Sequence, residues 1–237
     1  MAITFLVAEW RELLMVNYKI DPKILKPYLP NRTEIDLWND CCYVSVVGFM
    51  FLNTKVLGLS VPFHTNFEEV NLRFYVRFKE NDVWKRGVVF IKEYVPKTAL
   101  TLIANTIYGE HYETVSMKHY WEISDNNICV SYSWEKENIE NLIKVNTQPN
   151  PEMISIGSEE EFITEHYWGY TRLNELTTLE YGVEHPRWEV YKTKDYTIQI
   201  DFEKNYGKAF SFLHNQNPDS VFLAEGSFIK VKGGKKI

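Results

Sequence analysis

From Phe67 to Phe78 the chain reads F-E-E-V-N-L-R-F-Y-V-R-F. At a period of two, Val70, Leu72, Phe74, Val76 and Phe78 share one face of a strand, while Glu69, Asn71, Arg73, Tyr75 and Arg77 share the other. A strand rises about 3.3 Å per residue, so Glu69 and Arg73 stand roughly 13 Å apart along the backbone and do not neutralise each other within the strand. Facing water, such a row is ordinary. Facing inward, each charge needs a partner from another strand or from a ligand.

The same alternation recurs along most of the chain. Glu12–Ile20 places Leu14, Val16, Tyr18 and Ile20 on one face, after which Asp21-Pro22 supplies an N-cap and a first-turn proline for a short helix toward Leu29-Pro30. Strands are expected over Thr33–Trp38, Cys42–Phe51, Glu68–Phe78 and Val83–Val95. Thr98–Tyr108 breaks the rhythm, since Leu100, Ile103, Ala104 and Ile107 fall on one helical stripe that Gly109 is placed to close. Val115–Ile123 and Ile128–Trp134 read as a hairpin around Asp125-Asn126-Asn127. Ser158 with Glu161 is a capping-box signature for a short helix. Leu179–His185, Trp188–Lys192, Tyr196–Phe202 and Val221–Val231 read as later strands, with a helix over Phe202–Leu213. Many strands and few short helices predict an α+β, mainly antiparallel sheet that must close or stack to hide its apolar face, and a closed, cone-like barrel is the expected solution.

With 237 residues, 45% hydrophobic and 15% aromatic, and no repeat or Pro/Gly-rich linker, the chain is expected to form one domain over residues 1–237. A net charge of −6 argues against tracking phosphate backbones, so no nucleic-acid partner is expected. Lys230, Lys232, Lys235 and Lys236 read as a solvated C-terminal tail. Cys41, Cys42 and Cys129 give neither a disulfide framework nor a zinc spacing. The apolar start, Ile3–Ala8, is interrupted by Glu9, Arg11 and Glu12 and carries no basic leader, and no long uncharged apolar stretch follows, so a cytoplasmic, non-membrane protein is the expectation.

Several motifs carry a resemblance. Trp10-Arg11 with Tyr18 and Asp21-Pro22, Leu29-Pro30 before Ile35-Asp36, the segment Glu69-Val70-Asn71-Leu72-Arg73-Phe74-Tyr75-Val76, and His185-Pro186-Arg187-Trp188 run in order over nearly the whole chain. Together they are similar to the YqjF-like family, named for a domain of unknown function, and the central segment is the most specific of them. The resemblance implies a fold similar to acetoacetate decarboxylase, a cone-like antiparallel barrel around a pocket, in a family with no established reaction. It therefore favours an inward polar row.

Acetoacetate decarboxylases use a lysine made nucleophilic by a neighbouring lysine, after a Tyr-Gly-x-Pro pattern. Here the comparable stretch is Ile107-Tyr108-Gly109-Glu110-His111-Tyr112-Glu113, with Tyr112 and Glu113 where the paired lysines would stand. Imine chemistry is not expected, even on a shared fold. What remains is an uncharacterised protein whose pocket takes a small anionic or aromatic molecule, a carboxylate or phenol. Arg73 would hold the charge, with Asn71 and backbone carbonyls steadying the guanidinium. Glu69 and Asn71 would set orientation, and Tyr112, His185 and Trp188 complete the candidate ligand-binding set.

Two alternatives stand beside it. One is a lyase or hydrolase without a covalent amine, using Glu69 or His111 as catalytic acid or base; the other is an interaction module whose inward face is packed shut. Glu165-His166 and Glu184-His185 offer two His and two Glu, but their spacing matches no metal motif, so neither a metal nor a cofactor is expected. An open sheet edge would allow a homo-oligomer.

Overall fold

The computed structural model describes residues 3–98, 101, 105 and 109–237. The helix expected over Thr98–Tyr108 falls largely on residues outside that description. Fourteen strands form one sheet among the described residues: β1 (Thr4–Lys19), β2 (Glu34–Ile35), β3 (Tyr43–Val56), β4 (Phe67–Glu80), β5 (Val83–Val95), β6 (Tyr112–Thr114), β7 (Ser116–Ile123), β8 (Ile128–Lys136), β9 (Ile139–Met153), β10 (Trp168–Arg172), β11 (Thr178–Glu184), β12 (Glu189–Gln199), β13 (Ser220–Lys232) and β14 (Lys235–Lys236). No helix among them is long and apolar enough to cross a membrane.

The strand order β11-β10-β5-β4-β3-β1-β13 returns on itself, because β11 also pairs with β13 through Val183–Val231 and Glu184–Lys230. From β13 the sheet continues outward as β12-β9-β8-β7, with β7–β8 the expected hairpin. Pairing is antiparallel except where β10 and β6 run parallel to β5. Along the central stretches of β1, β3 and β4 both faces are buried. Leu13 to Tyr18 of β1 are all inaccessible, with Leu14, Val16 and Tyr18 in the larger apolar cluster and Leu13 and Met15 in a second one.

Short helices follow their capping chemistry. Asp21 accepts from the Lys23 amide at 2.9 Å to start Pro22–Leu25, and Ser158 accepts from the Glu161 amide at 3.2 Å to start Glu159–Thr164. The helix expected over Phe202–Leu213 is broken: Phe202–Tyr206 is α-helical, Gly207 turns at φ 94°, and Lys208–Asn215 continues as 3₁₀-helix.

Other differences from the sequence reading have local causes. β1 begins at Thr4 rather than Glu12 because a bulge at Glu12 (φ 52°) shifts the register between Arg11 and Leu14 and interrupts the alternation. The strands expected over Trp188–Lys192 and Tyr196–Phe202 are one strand, β12, which ends at Gln199 ahead of the 202–206 helix and whose pairing with β9 slips twice between Tyr191 and Asp195. The lysine-rich end is no loose tail: Lys235 bridges Glu80 at 2.8 Å and Glu180 at 3.2 Å and holds β14 against β11.

Candidate functional site

The two faces of β4 meet different surroundings. Val70, Leu72, Phe74, Val76 and Phe78 enter the larger apolar cluster. On the other face Glu69, Asn71 and Arg73 are only 2%, 1% and 8% exposed. They line a cavity of about 150 Å³ with Glu93 of β5, Glu110, Tyr112 of β6, His166 and Tyr181 of β11. An aromatic wall completes it: Trp10 lies edge-on to Phe49 at 5.4 Å, to Phe51 at 5.9 Å and to Trp188 at 6.4 Å, and Phe51 stacks on Phe67 at 4.7 Å.

Three carboxyl groups converge on this space. Glu69 accepts from Asn71 Nδ2 at 2.9 Å and from the Tyr112 hydroxyl at 2.9 Å. Glu110 accepts from Thr171 Oγ1 at 2.6 Å and from the Tyr181 hydroxyl at 2.9 Å. Tyr181 reaches across β10 because its cross-strand partner is Gly169, where any Cβ would lie 2.1 Å from the tyrosine ring. Glu93 sits between them, opposite Asn71 on one side and Tyr112 on the other. The main chain of Tyr112 is fixed by Asn105, whose amide donates to its carbonyl at 2.9 Å and accepts from its N–H at 2.8 Å.

Burial is the first cause of the electrostatics here. It pushes Glu69 and Glu110 up to about 7 against the hydrogen bonds that hold them down. Glu93 is raised well above the usual carboxylate range by burial and by the neighbouring Glu110 and Glu69 charges. Tyr112 and Tyr181 are pushed up by burial and the same carboxylates, so both remain hydroxyl donors at neutral pH.

Opposite this acidic end stands Arg73. Its Nη2 donates to the Ile163 carbonyl at 3.4 Å and its guanidinium lies 5.7 Å from the Tyr75 ring, yet it forms no ion pair among the described residues and its Nε has no hydrogen-bond partner there. His166 packs its ring on Tyr75 at 4.8 Å and faces Asp36 Oδ2 with Nε2 at 3.3 Å, while Arg86 holds the same oxygen at 2.6 Å. Burial lowers His166 to about 4, so it is neutral at pH 7, and its Nδ1 is an acceptor with no partner among the described residues.

The residues singled out from sequence fall in different places. Glu69, Asn71, Arg73, Tyr112, His185 and Trp188 all line the cavity, with His185 stacked on Trp188 at 4.3 Å and Trp188 Nε1 donating to Ser227 Oγ at 2.9 Å. Asn71 engages Glu69 rather than Arg73. His111 is exposed and is not among the lining residues; its carbonyl accepts from the Glu93 amide at 3.3 Å. Glu93, Tyr181 and the Asp36–His166 pair were not anticipated. For Glu93 the signal was the one acidic residue of its strand, set directly before the apolar Tyr94-Val95. Among the described residues no group of three or more His, Cys, Asp or Glu is placed to hold a metal ion.

This architecture is the acetoacetate decarboxylase-like fold. The chain superposes on acetoacetate decarboxylase of Legionella pneumophila with a TM-score of 0.67 at 10% identity, over 98% of this chain and 87% of that one. An acetoacetate decarboxylase-like enzyme from Sphingomonas wittichii RW1 gives 0.66 at 10% identity, over 99% and 93%. The enduracididine biosynthesis enzyme MppR, solved in complex with pyruvate, gives 0.65 at 11% identity, over 100% and 91%. Such identities establish a common fold and nothing finer.

Residues 7–228 match the family model DUF2071, described as an uncharacterized conserved protein, and the chain belongs to that family. It is also 28% identical over 130 residues to the uncharacterized protein YqjF of Bacillus subtilis (strain 168), an alignment spanning 54% of this chain and 50% of that protein. The matched region is thus about half the length of that relative.

Proposed function

We propose that the strand ring acts as a closed, cone-like barrel whose cavity binds a small carboxylate or phenol, with Arg73 as the anchor of the negative charge. One observation carries this reading: a guanidinium 8% exposed lines the cavity with no salt-bridge partner among the described residues and its Nε unbonded there, the charge of Glu69 acting on it only at a distance. A buried charge left this way is costly, and a carboxylate or phenolate that paired with it would recover that cost. The aromatic wall of Trp10, Phe49, Phe51 and Trp188 suits the apolar part of such a ligand. A cavity of about 150 Å³ matches molecules the size of benzene or a short-chain acid. That MppR, on a similar fold, has been solved with pyruvate fits a small carboxylate.

No lysine lines the cavity, and the residues outside the described set include none. Borohydride trapping with keto acids is accordingly expected to label nothing. Thermal shift with a panel of short carboxylates and phenols tests the main reading. At ligand concentrations of 100 times Kd, stabilisation of about 2.7 kcal/mol is expected, and it should vanish in Arg73→Met, a swap that keeps the apolar stem while deleting the charge. Stabilisation that persists in Arg73→Met would overturn the anchor.

A second reading is favoured by one feature of the same cavity. A carboxyl raised to about 7 and held by a tyrosine hydroxyl has the proton affinity of a general acid or base at neutral pH. In that reading the protein is a lyase or hydrolase without a covalent intermediate and Glu69 carries the proton, His111 being exposed and off the cavity wall. Turnover of any bound carboxylate that survives Glu69→Gln would remove it.

A further inference from the structure

The cavity's unmet hydrogen-bonding groups are divided: the donors Arg73 Nε and Trp10 Nε1 are distinct from the acceptors on Asn71 and Glu93. Three carboxyls, Glu69, Glu93 and Glu110, share the space with one guanidinium. At the acidic end two buried side-chain oxygens make no hydrogen bond among the described residues: Asn71 Oδ1 and Glu93 Oε2, on residues each 1% exposed and directly paired across β4 and β5, the Glu93 carboxyl being otherwise steadied by the Tyr112 hydroxyl and the His111 main chain. Asn71 turns its amide nitrogen to Glu69, which leaves its oxygen without a partner among the described residues, and the Tyr112 hydroxyl, whose single proton goes to Glu69 at 2.9 Å, also faces Glu93. A buried acceptor pair of this kind, ringed by carboxyls, calls for a donor that carries positive charge.

We infer that the Asn71–Glu93 pair is the seat of a protonated amine, and that the ligand anchored at Arg73 is an amino carboxylate whose two charges are several bonds apart. The strand sets that spacing. Asn71 and Arg73 are successive residues on one face, separated by about 6.6 Å, so charges sharing a single carbon do not span them, whereas those of an ω-amino acid do. An ammonium brings three donors: two meet Asn71 Oδ1 and Glu93 Oε2, and its charge favours the ionised form of carboxyls that burial and one another hold protonated. This inference rests on the anion-binding reading for its Arg73 end and is independent of it at the amine end.

A matched series separates the two ends: 4-aminobutanoate, butanoate and butylamine, titrated calorimetrically into the full-length protein, Glu93→Gln and Asn71→Ala. The wild type should bind 4-aminobutanoate at least tenfold more tightly than butanoate, and both substitutions should bring that ratio to about one. A ratio near one in the wild type, or an undiminished preference in Glu93→Gln and Asn71→Ala, overturns the amine seat while leaving Arg73 as anchor. Butylamine binding that depends on Glu93, with butanoate silent, sustains the amine seat and removes the anion reading. Failure of all three ligands to bind overturns both.

Discussion

From Glu69 to Val76 both faces of β4 are buried, and they do opposite things. On one, Val70, Leu72, Phe74 and Val76 are fully inaccessible and pack within the larger apolar cluster. On the other, Glu69, Asn71 and Arg73 are nearly as inaccessible, yet Asn71 Oδ1 and Arg73 Nε make no hydrogen bond among the described residues, and Glu93 across the register leaves Oε2 unmatched. Burial therefore does not distinguish core from site in this molecule; unmet hydrogen-bonding capacity does. The apolar face supplies the stability that lets the opposite face hold groups in an unfavourable arrangement.

The sharpest test of that division is to damage the apolar face. Phe74→Ala removes a ring from a fully buried position and should cost about 3–5 kcal/mol by urea denaturation. A cost below about 1 kcal/mol would mean that this face is loosely packed and that the contrast is false.

The polar face has its own signature in pH. The folded protein holds Glu69 and Glu110 at about 7, above their unfolded value near 4.5. Between those limits the native state keeps protons that the unfolded state has released, so stability falls as pH rises. The contribution is fully present near pH 4.5 and lost by about pH 7, on the order of 1–3 kcal/mol for each carboxyl. Below pH 4.5 the sign reverses, because Glu80, Glu113 and Asp36 are held low by Lys85, Lys235, Lys92, Lys136, Arg86 and His166 and lose those partners on protonation. Glu69→Gln should flatten the profile between pH 5 and 7 in urea titrations. A wild-type profile that rises across this window would show the carboxyls to be ionised and satisfied in the fold.

Much of this division was legible in the chain. Alternation in β4 assigned each residue to its face, and resemblance to a pocket-bearing fold gave the direction of the polar row. Glu93 was not legible for a geometric reason. β4 and β5 pair Asn71 with Glu93 but Arg73 with Phe90, so β5 carries one extra residue between them. That bulge switches the parity of β5: strict alternation groups Glu93 with Val89 and Ile91 of the larger apolar cluster, whereas the structure brings it to the cavity side with Val88 and Phe90. The bulge at Glu12 hid the first half of β1 in the same way. Tyr181 and His166 arrive from β11 and from the end of the 159–164 helix, and long-range placement of that kind leaves no local periodic trace. Caps and the β7–β8 hairpin, fixed by neighbours in sequence, were readable throughout.

The smallest effect is expected at the outer end of the same row. Arg77 shares a strand, a face and a side-chain type with Arg73, four residues away, but the row has reached solvent there. Its side chain is 39% exposed, pairs with a 51% exposed Glu34 at 2.5 Å and lies over Trp84 at 4.3 Å. An exposed ion pair and an exposed cation–π contact are each worth at most about 1 kcal/mol, and screening by water and salt takes most of the first. Arg77→Ala should therefore shift stability by less than about 1 kcal/mol and leave carboxylate binding as it is in the wild type, while Arg73→Met removes that binding. Calorimetric titration of one carboxylate into both variants makes the comparison directly. Equal loss in the two would mean that the row draws ligand by its summed charge, in which case binding should also collapse at high ionic strength; loss confined to Arg73 locates recognition in the enclosed guanidinium, where salt has little access.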